Sequence, residues 1–155
     1  YGCNETQNLN LPVMSQPTST PTTKVESYVF FDGRCEEALE FYKHALGAEV
    51  LAVMHFKDNP DSGTCGQASP DKVMHSCFRV GETTIMASDG RCGGEPKFEG
   101  FSLSLTAPDE TAANKYFAAL SEGGQVVMPL GKTFFAKSFG MLKDKFGVNW
   151  MVIAN

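Results

Sequence analysis

Three side chains able to do chemistry fall on one strand-like segment, KVMHSCFRV, where His75, Cys77 and Arg79 alternate onto the same face. An imidazole in that place could be a hydrogen-bond donor or a general base at a cavity wall. The plainer role is a strand histidine bonded to a neighbouring carbonyl. His75 does not activate Cys77 directly, because residues two apart on a strand hold their side chains about 7 Å apart. A small buried thiol suits Cys77 better. His44, between Lys43 and Ala45 on a helix, faces solvent, whereas His55 ends a strand beside a long loop and could reach a pocket mouth. Arg79, Lys132 and Lys137 could receive an anionic ligand or simply be solvated strand ends. Asp89, just before Gly90, reads as a turn residue. A last group, Met86, Phe101, Phe134, Phe135, Phe139 and Met151, divides between core and the lining of an apolar cavity.

The whole chain narrows what those residues can serve. At 155 residues, 42% apolar and 20% charged, it has the size and composition of one globular domain with its own core. A net charge of −5 argues against a nucleic-acid surface or an anionic-membrane binder, and no apolar run is long enough to span a bilayer. The five cysteines (Cys3, Cys35, Cys65, Cys77, Cys92) are odd in number and form no C-x-x-C pair. They read as free thiols in a reducing compartment, so a cytoplasmic location is expected. Residues 1–24 are rich in Ser, Thr, Pro, Asn and Gln and read as a flexible arm. Residues 1–13 are set apart as an extension upstream of a candidate start at Met14.

From Val25 onward the elements that must position the candidates come in order. VESYVFF is strand-like, Asp32-Gly33 breaks it, and Glu36–Leu46 puts Ala38, Leu39, Phe41, Tyr42, Ala45 and Leu46 on one helical face. EVLAVMHF is a strand before a long Gly/Pro loop, and KVMHSCFRV and TTIMASD flank a short Gly81-Glu82 connection. The β-α-β-β-β order then repeats: FSLSLTAP, the helix Thr111–Glu122, QVVMPL, and a hairpin built from FFAKSFGML and NWMVIAN. Ala38 falls on Ala113, Phe41 on Tyr116 and Tyr42 on Phe117, 75 residues apart in each case. The repeats are 25–97 and 98–155 of a single domain, 25–155. The expected class is α+β, two βαβββ units forming one concave sheet around a cavity.

This doubled unit resembles the glyoxalase/bleomycin-resistance/dioxygenase superfamily, also called the vicinal-oxygen-chelate fold. Within it FFDGRCEEALEFYKHALGAEV, HSCFRVGETTIMASD and TFFAKSFGMLKDKFGVNWM resemble PhnB-like proteins. The most specific part is F-x-K-x-F-G followed by D-K-F-G-V-x-W-M. The PhnB-like pattern also has a histidine where His75 stands and Ser-Asp at Ser88-Asp89, which makes those two rim candidates. Some relatives carry a demethylubiquinone-methyltransferase label, but no Gly-rich loop follows the first strand here, as a nucleotide-like methyl donor usually requires.

Superfamily enzymes resembling glyoxalase I hold a divalent metal on the first and last strand of each repeat. By that resemblance, and with the 75-residue displacement carried through the first strand, the four positions read Ser27, Met86, Ser102 and Met151. Tyr28 and Phe30 then turn to the helix, and Ser104 and Asn149 join Ser102 and Met151 toward the cavity. Hydroxyls and thioethers are poor ligands for a hard divalent ion, so neither metal nor cofactor is expected. The expectation is a metal-independent homodimeric binding protein of bleomycin-resistance type, with no nucleic-acid or membrane partner. It would hold an apolar or aromatic small molecule among Ser27, Met86, Ser88, Asp89, Ser102, Ser104, Phe135, Phe139, Asn149 and Met151. The alternative is a metal-independent lyase, isomerase or oxygenase-like enzyme acting on a small carbonyl or quinone-like substrate, with His75 as general base.

Overall fold

A computed structural model describes residues 23–60, 69–90 and 95–155; the expected arm, apart from residues 23 and 24, lies outside them, as do Cys3, Cys65 and Cys92. Period-two alternation builds the strands and a 3.6-residue apolar stripe builds the helices. The first repeat holds β1 (Ser27–Phe30), α1 (Cys35–Leu46), β2 (Glu49–His55), a short 3-10 turn, β3 (Val73–Val80) and β4 (Thr83–Ser88). The second holds β5 (Leu103–Ala107), α2 (Glu110–Ser121), β6 (Gln125–Gly131), β7 (Ser138–Lys143) and β8 (Asn149–Ala154). Each repeat is a βαβββ unit, and the class is α+β.

The strands form two four-stranded sheets, ordered β1-β4-β3-β2 and β5-β8-β7-β6. In each, the first strand runs parallel to the last and the remaining neighbours are antiparallel. Each first strand is therefore an edge. So is β6, which explains how it tolerates Pro129 at a break in its pairing between Met128 and Gly131.

One face of each sheet is covered by helix. The stripe Ala38, Leu39, Tyr42, Ala45 and Leu46 of α1 is buried, as are Ala113, Phe117 and Leu120 of α2, and the two helices touch. Full burial of a side chain such as Leu120 contributes about 2 kcal/mol. Helix α1 has Glu36 and Glu37 in its first turn and Lys43 and His44 in its last, matching its dipole, and stops at Gly47 in the left-handed conformation. Gly140, in the F-x-K-x-F-G motif, is needed for packing: a Cβ there would stand 2.7 Å from the Phe117 ring and 2.9 Å from the Leu130 backbone.

The second motif, D-K-F-G-V-x-W-M, is also structural. Asp144 is 3% exposed and accepts four hydrogen bonds: from Phe146 N (2.9 Å), Val148 N (3.0 Å), Trp150 Nε1 (2.9 Å) and Tyr42 Oη (2.6 Å). Tyr42 stacks on Phe78 and meets Trp150 edge-on. The pattern that carries the family resemblance thus ties α1 of the first repeat to the last hairpin of the second. No helix among the described residues is long and apolar enough to cross a membrane.

Candidate functional site: the open sheet faces

Alternation leaves one face of each sheet away from the helices. On β8, Trp150, Val152 and Ala154 are buried while Asn149, Met151 and Ile153 are half-buried on the other side. On β4, Ile85 and Ala87 are buried and Met86 lies between them on the open face. Residues paired directly across strands share a face. Pairing therefore runs a row across the second sheet from Ser104 through Met151 and Met141 to Met128. The matching row in the first sheet is Tyr28, Met86, Cys77 and Ala52.

The first strand departs from the sequence expectation by one residue. Val29 and Phe31 are buried on the helix side, whereas Tyr28 is 39% and Phe30 52% exposed on the open face. Ser27 pairs with buried Ile85, so it lies on the core side of the strand, and Tyr28 faces Met86. Similarly Ser104, not Ser102, stands opposite Met151. Tyr28 therefore corresponds to Ser104, 76 positions on, while the helices correspond at 75, as in Ala38 and Ala113. The difference arises in the turn before the helix. In the first repeat it contains an extra residue, accommodated by Asp32 (φ 47°) and Gly33 (φ 92°) in the left-handed region. The four strand positions are Tyr28, Met86, Ser104 and Met151: a phenol, a hydroxyl and two thioethers. That donor set does not fit a hard divalent ion. Among the described residues no group of three or more His, Cys, Asp and Glu side chains is placed to hold a metal.

His75 is half-buried on the open face, with Tyr28 Oη 3.0 Å from its Nδ1 and the two rings 5.7 Å apart. Met54 is its cross-strand neighbour. Where Tyr28 donates, Nδ1 is the acceptor and the proton sits on Nε2. Where Nδ1 donates to the phenol oxygen, Nε2 carries the free lone pair a base needs. Phe139 is paired with Ile153, and Phe135 lies 5.2 Å from Phe139, so both aromatics belong to the open side of the second sheet. Phe134 is fully exposed beside them.

Other candidates turn out to be engaged in the framework. Asp89 is 5% exposed and accepts from Gly33 N (2.7 Å), Cys35 N (2.9 Å) and Val73 N (2.8 Å), so it fastens the start of α1 to β3 instead of standing at a rim. Ser88 is 3% exposed, its hydroxyl accepting from Gly90 N at 3.2 Å. Asn149 donates to Phe98 O at 2.5 Å. His55 sits 2.6 Å from Glu36, and His44 bonds the Glu40 carbonyl at 2.7 Å. Arg79 is paired with Glu49, and Lys137 donates to Asn155 O. Cys35 is buried against Ser76, and burial pushes its thiol up to about 12. Ser27, Ser102 and Ser104 also line a cavity of about 630 Å³ between the repeats.

Residues 23–153 match the family model described as 3-demethylubiquinone-9 3-methyltransferase. The chain belongs to that family. Protein YjdN of Escherichia coli K12 is 34% identical over 133 residues, covering 81% of this chain and 90% of YjdN. Among solved structures, protein PA1353 of Pseudomonas aeruginosa is 39% identical with a TM-score of 0.77, covering 86% of this chain and 98% of its own. A PhnB protein of Bacillus cereus is 28% identical with a TM-score of 0.72, covering 86% of this chain and all of its own. A glyoxylase/bleomycin resistance protein/dioxygenase domain from Frankia sp. EAN1pec shares the fold, at 14% identity and a TM-score of 0.58, over 87% of this chain and 93% of that one. The chain is thus PhnB-like, within the glyoxalase/bleomycin-resistance group of folds.

Proposed function

We propose that this PhnB-like chain is a metal-independent binding protein that holds an apolar or aromatic small molecule against its open sheet faces, as a homodimer. One observation carries the reading: Tyr28 paired with Met86, and Ser104 with Met151, at the strand positions that would otherwise offer charged ligands. Flexible, polarisable thioethers in a row suit an irregular apolar ligand. Exposed Tyr28, Phe30, Met54, Met128 and Phe135 on these faces favour a second copy as cover, with the ligand at or near the interface. The methyltransferase activity in the family's description is not carried over. The amides at the start of α1, where a donor's phosphate or carboxylate could dock, are already bonded to Asp89.

A second reading rests on the Tyr28–His75 contact. In the tautomer with Nδ1–H toward the phenol, Nε2 can take a proton from a carbonyl or quinone-like substrate.

The test is a thermal-shift screen of aromatic antibiotics, quinones and 2-oxo aldehydes, with elemental mass spectrometry of protein purified without chelator. The binding reading expects a raised Tm with at least one aromatic compound, well under one equivalent of Zn, Ni, Mn or Fe, and no metal-induced rise in Tm. Stoichiometric metal that survives dialysis overturns it.

A further inference from the structure

The two repeats end in hairpins of different length. Strands β7 and β8 are joined by the five residues Asp144–Val148, whereas β3 and β4 are joined by Gly81 and Glu82 alone. The longer connection carries Phe146, which is 8% exposed and packs within 5.6 Å of Phe41 and 5.7 Å of Phe31, with the Arg34 guanidinium 4.6 Å from its ring centre. Tyr116 occupies in α2 the place that Phe41 has in α1. Facing Tyr116, the shorter hairpin has no aromatic residue, and a cavity of about 630 Å³ lies there between the repeats. One repeat is closed by its own phenyl ring, and its counterpart is left open.

We propose that this crevice, which meets the open sheet faces along β5 at Ser104 and Thr106, is a second binding site for a planar aromatic molecule of neutral or cationic charge. Its volume is that of a small-molecule pocket. Tyr116, the counterpart of Phe41, gives aromatic surface with buried Trp150 behind it, and Leu46 and Leu105 give aliphatic surface. The hydroxyls of Ser102 and Thr106 supply a few polar contacts to orient a ring substituent. Glu82 is the only acidic or basic side chain on the wall among the described residues, so a cation is favoured and an anion repelled.

Trp150 is the only tryptophan in the chain and lies in the crevice wall, so its single indole N–H resonance, though bonded to Asp144, responds to a ring bound against that wall. The experiment is an NMR titration of the ¹⁵N-labelled full chain with 2-naphthylmethylamine, 2-naphthylmethanol and 2-naphthoate. The first two should shift the Trp150 resonance saturably, and the carboxylate should bind roughly tenfold more weakly. Ser27→Phe, an exposed position at the cavity edge, should abolish the shift by filling the space. Glu82→Gln, in the exposed hairpin, should remove the preference between the amine and the carboxylate while leaving the fold alone. Met151→Glu should leave the titration unchanged, since Met151 belongs to the open face. No saturable shift with any probe, or a shift that survives Ser27→Phe, or one lost in Met151→Glu, overturns the proposal. Failure of the open-face reading alone would leave these titrations as they are.

Discussion

The Tyr42 hydroxyl donates to Asp144 Oδ2 at 2.6 Å, joining a helix of the first repeat to a hairpin of the second across 102 residues of chain. Both groups are buried, and the same carboxylate closes its own hairpin through two backbone amides and holds the Trp150 indole. Asp144→Ala would strand four donors, three of them beside the core. It should destabilise the protein by about 3 kcal/mol or more, read by urea denaturation. Tyr42→Phe should cost about 1–2 kcal/mol.

The same pair gives a pH dependence. Burial, with Asp144 beside it, pushes the Tyr42 phenol well above its ordinary 10.0. Its neutral form is the one the fold accommodates, so this contribution is complete below about pH 10 and is lost as pH rises toward the folded value. Denaturation midpoints measured from pH 8 to 11.5 should fall more steeply in the native protein than in Tyr42→Phe. Parallel slopes would contradict it.

Asp89→Asn should behave as a framework lesion. Losing charge and one of two acceptor oxygens weakens three bonds to Gly33, Cys35 and Val73 amides. A loss of about 2–3 kcal/mol in stability is expected. Ligand affinity per folded molecule should stay unchanged, measured by calorimetry at a temperature where the variant is folded.

How much of this was legible in the sequence depends on the range over which each feature is encoded. The helices and the repeat were legible because Ala38, Tyr42, Ala113 and Phe117 recur at helical spacing on buried faces. The register of β1 was not, because one extra residue in the turn around Asp32 and Gly33 shifts the strand against the helix and exchanges Ser27 for Tyr28 on the open face. The place of Met128 in line with Met141 and Met151 was not legible, since irregular pairing between β6 and β7 hides it from simple alternation. The role of Asp144 was not legible, because its partner Tyr42 lies in the other repeat, where no local pattern reaches.

Thiol reactivity should separate the two described cysteines. Cys35 is fully buried with its thiol pushed up to about 12 by burial, whereas Cys77 is half-buried on the open face beside Met86. Iodoacetamide at pH 8, followed by peptide mass spectrometry, should label Cys77 at least tenfold faster in the folded protein. Equal rates in the native state would contradict the burial of Cys35.

The open face can be tested by two substitutions against the best compound from the thermal-shift screen. In a binding protein, Met151→Glu should weaken affinity strongly, because the carboxylate resists burial against an apolar ligand. His75→Ala should then change affinity by about 1 kcal/mol or less. In an enzyme, His75→Ala should instead lower turnover by roughly 10²–10⁴ with affinity preserved.

The outer edge of the second sheet bears on self-association. Strand β6 presents Val126, Val127 and Met128 to solvent, an apolar β-prone run of the kind that templates fibrils when its edge is continuous. Pro129 interrupts that edge, since it has no amide hydrogen to offer an incoming strand. A proline here is expected to hinder amyloid-like stacking while leaving the native sheet intact. Pro129→Val should keep the monomer fold by circular dichroism yet shorten the lag of thioflavin-positive aggregation at high protein concentration, an effect that grows as the chain is warmed toward its Tm.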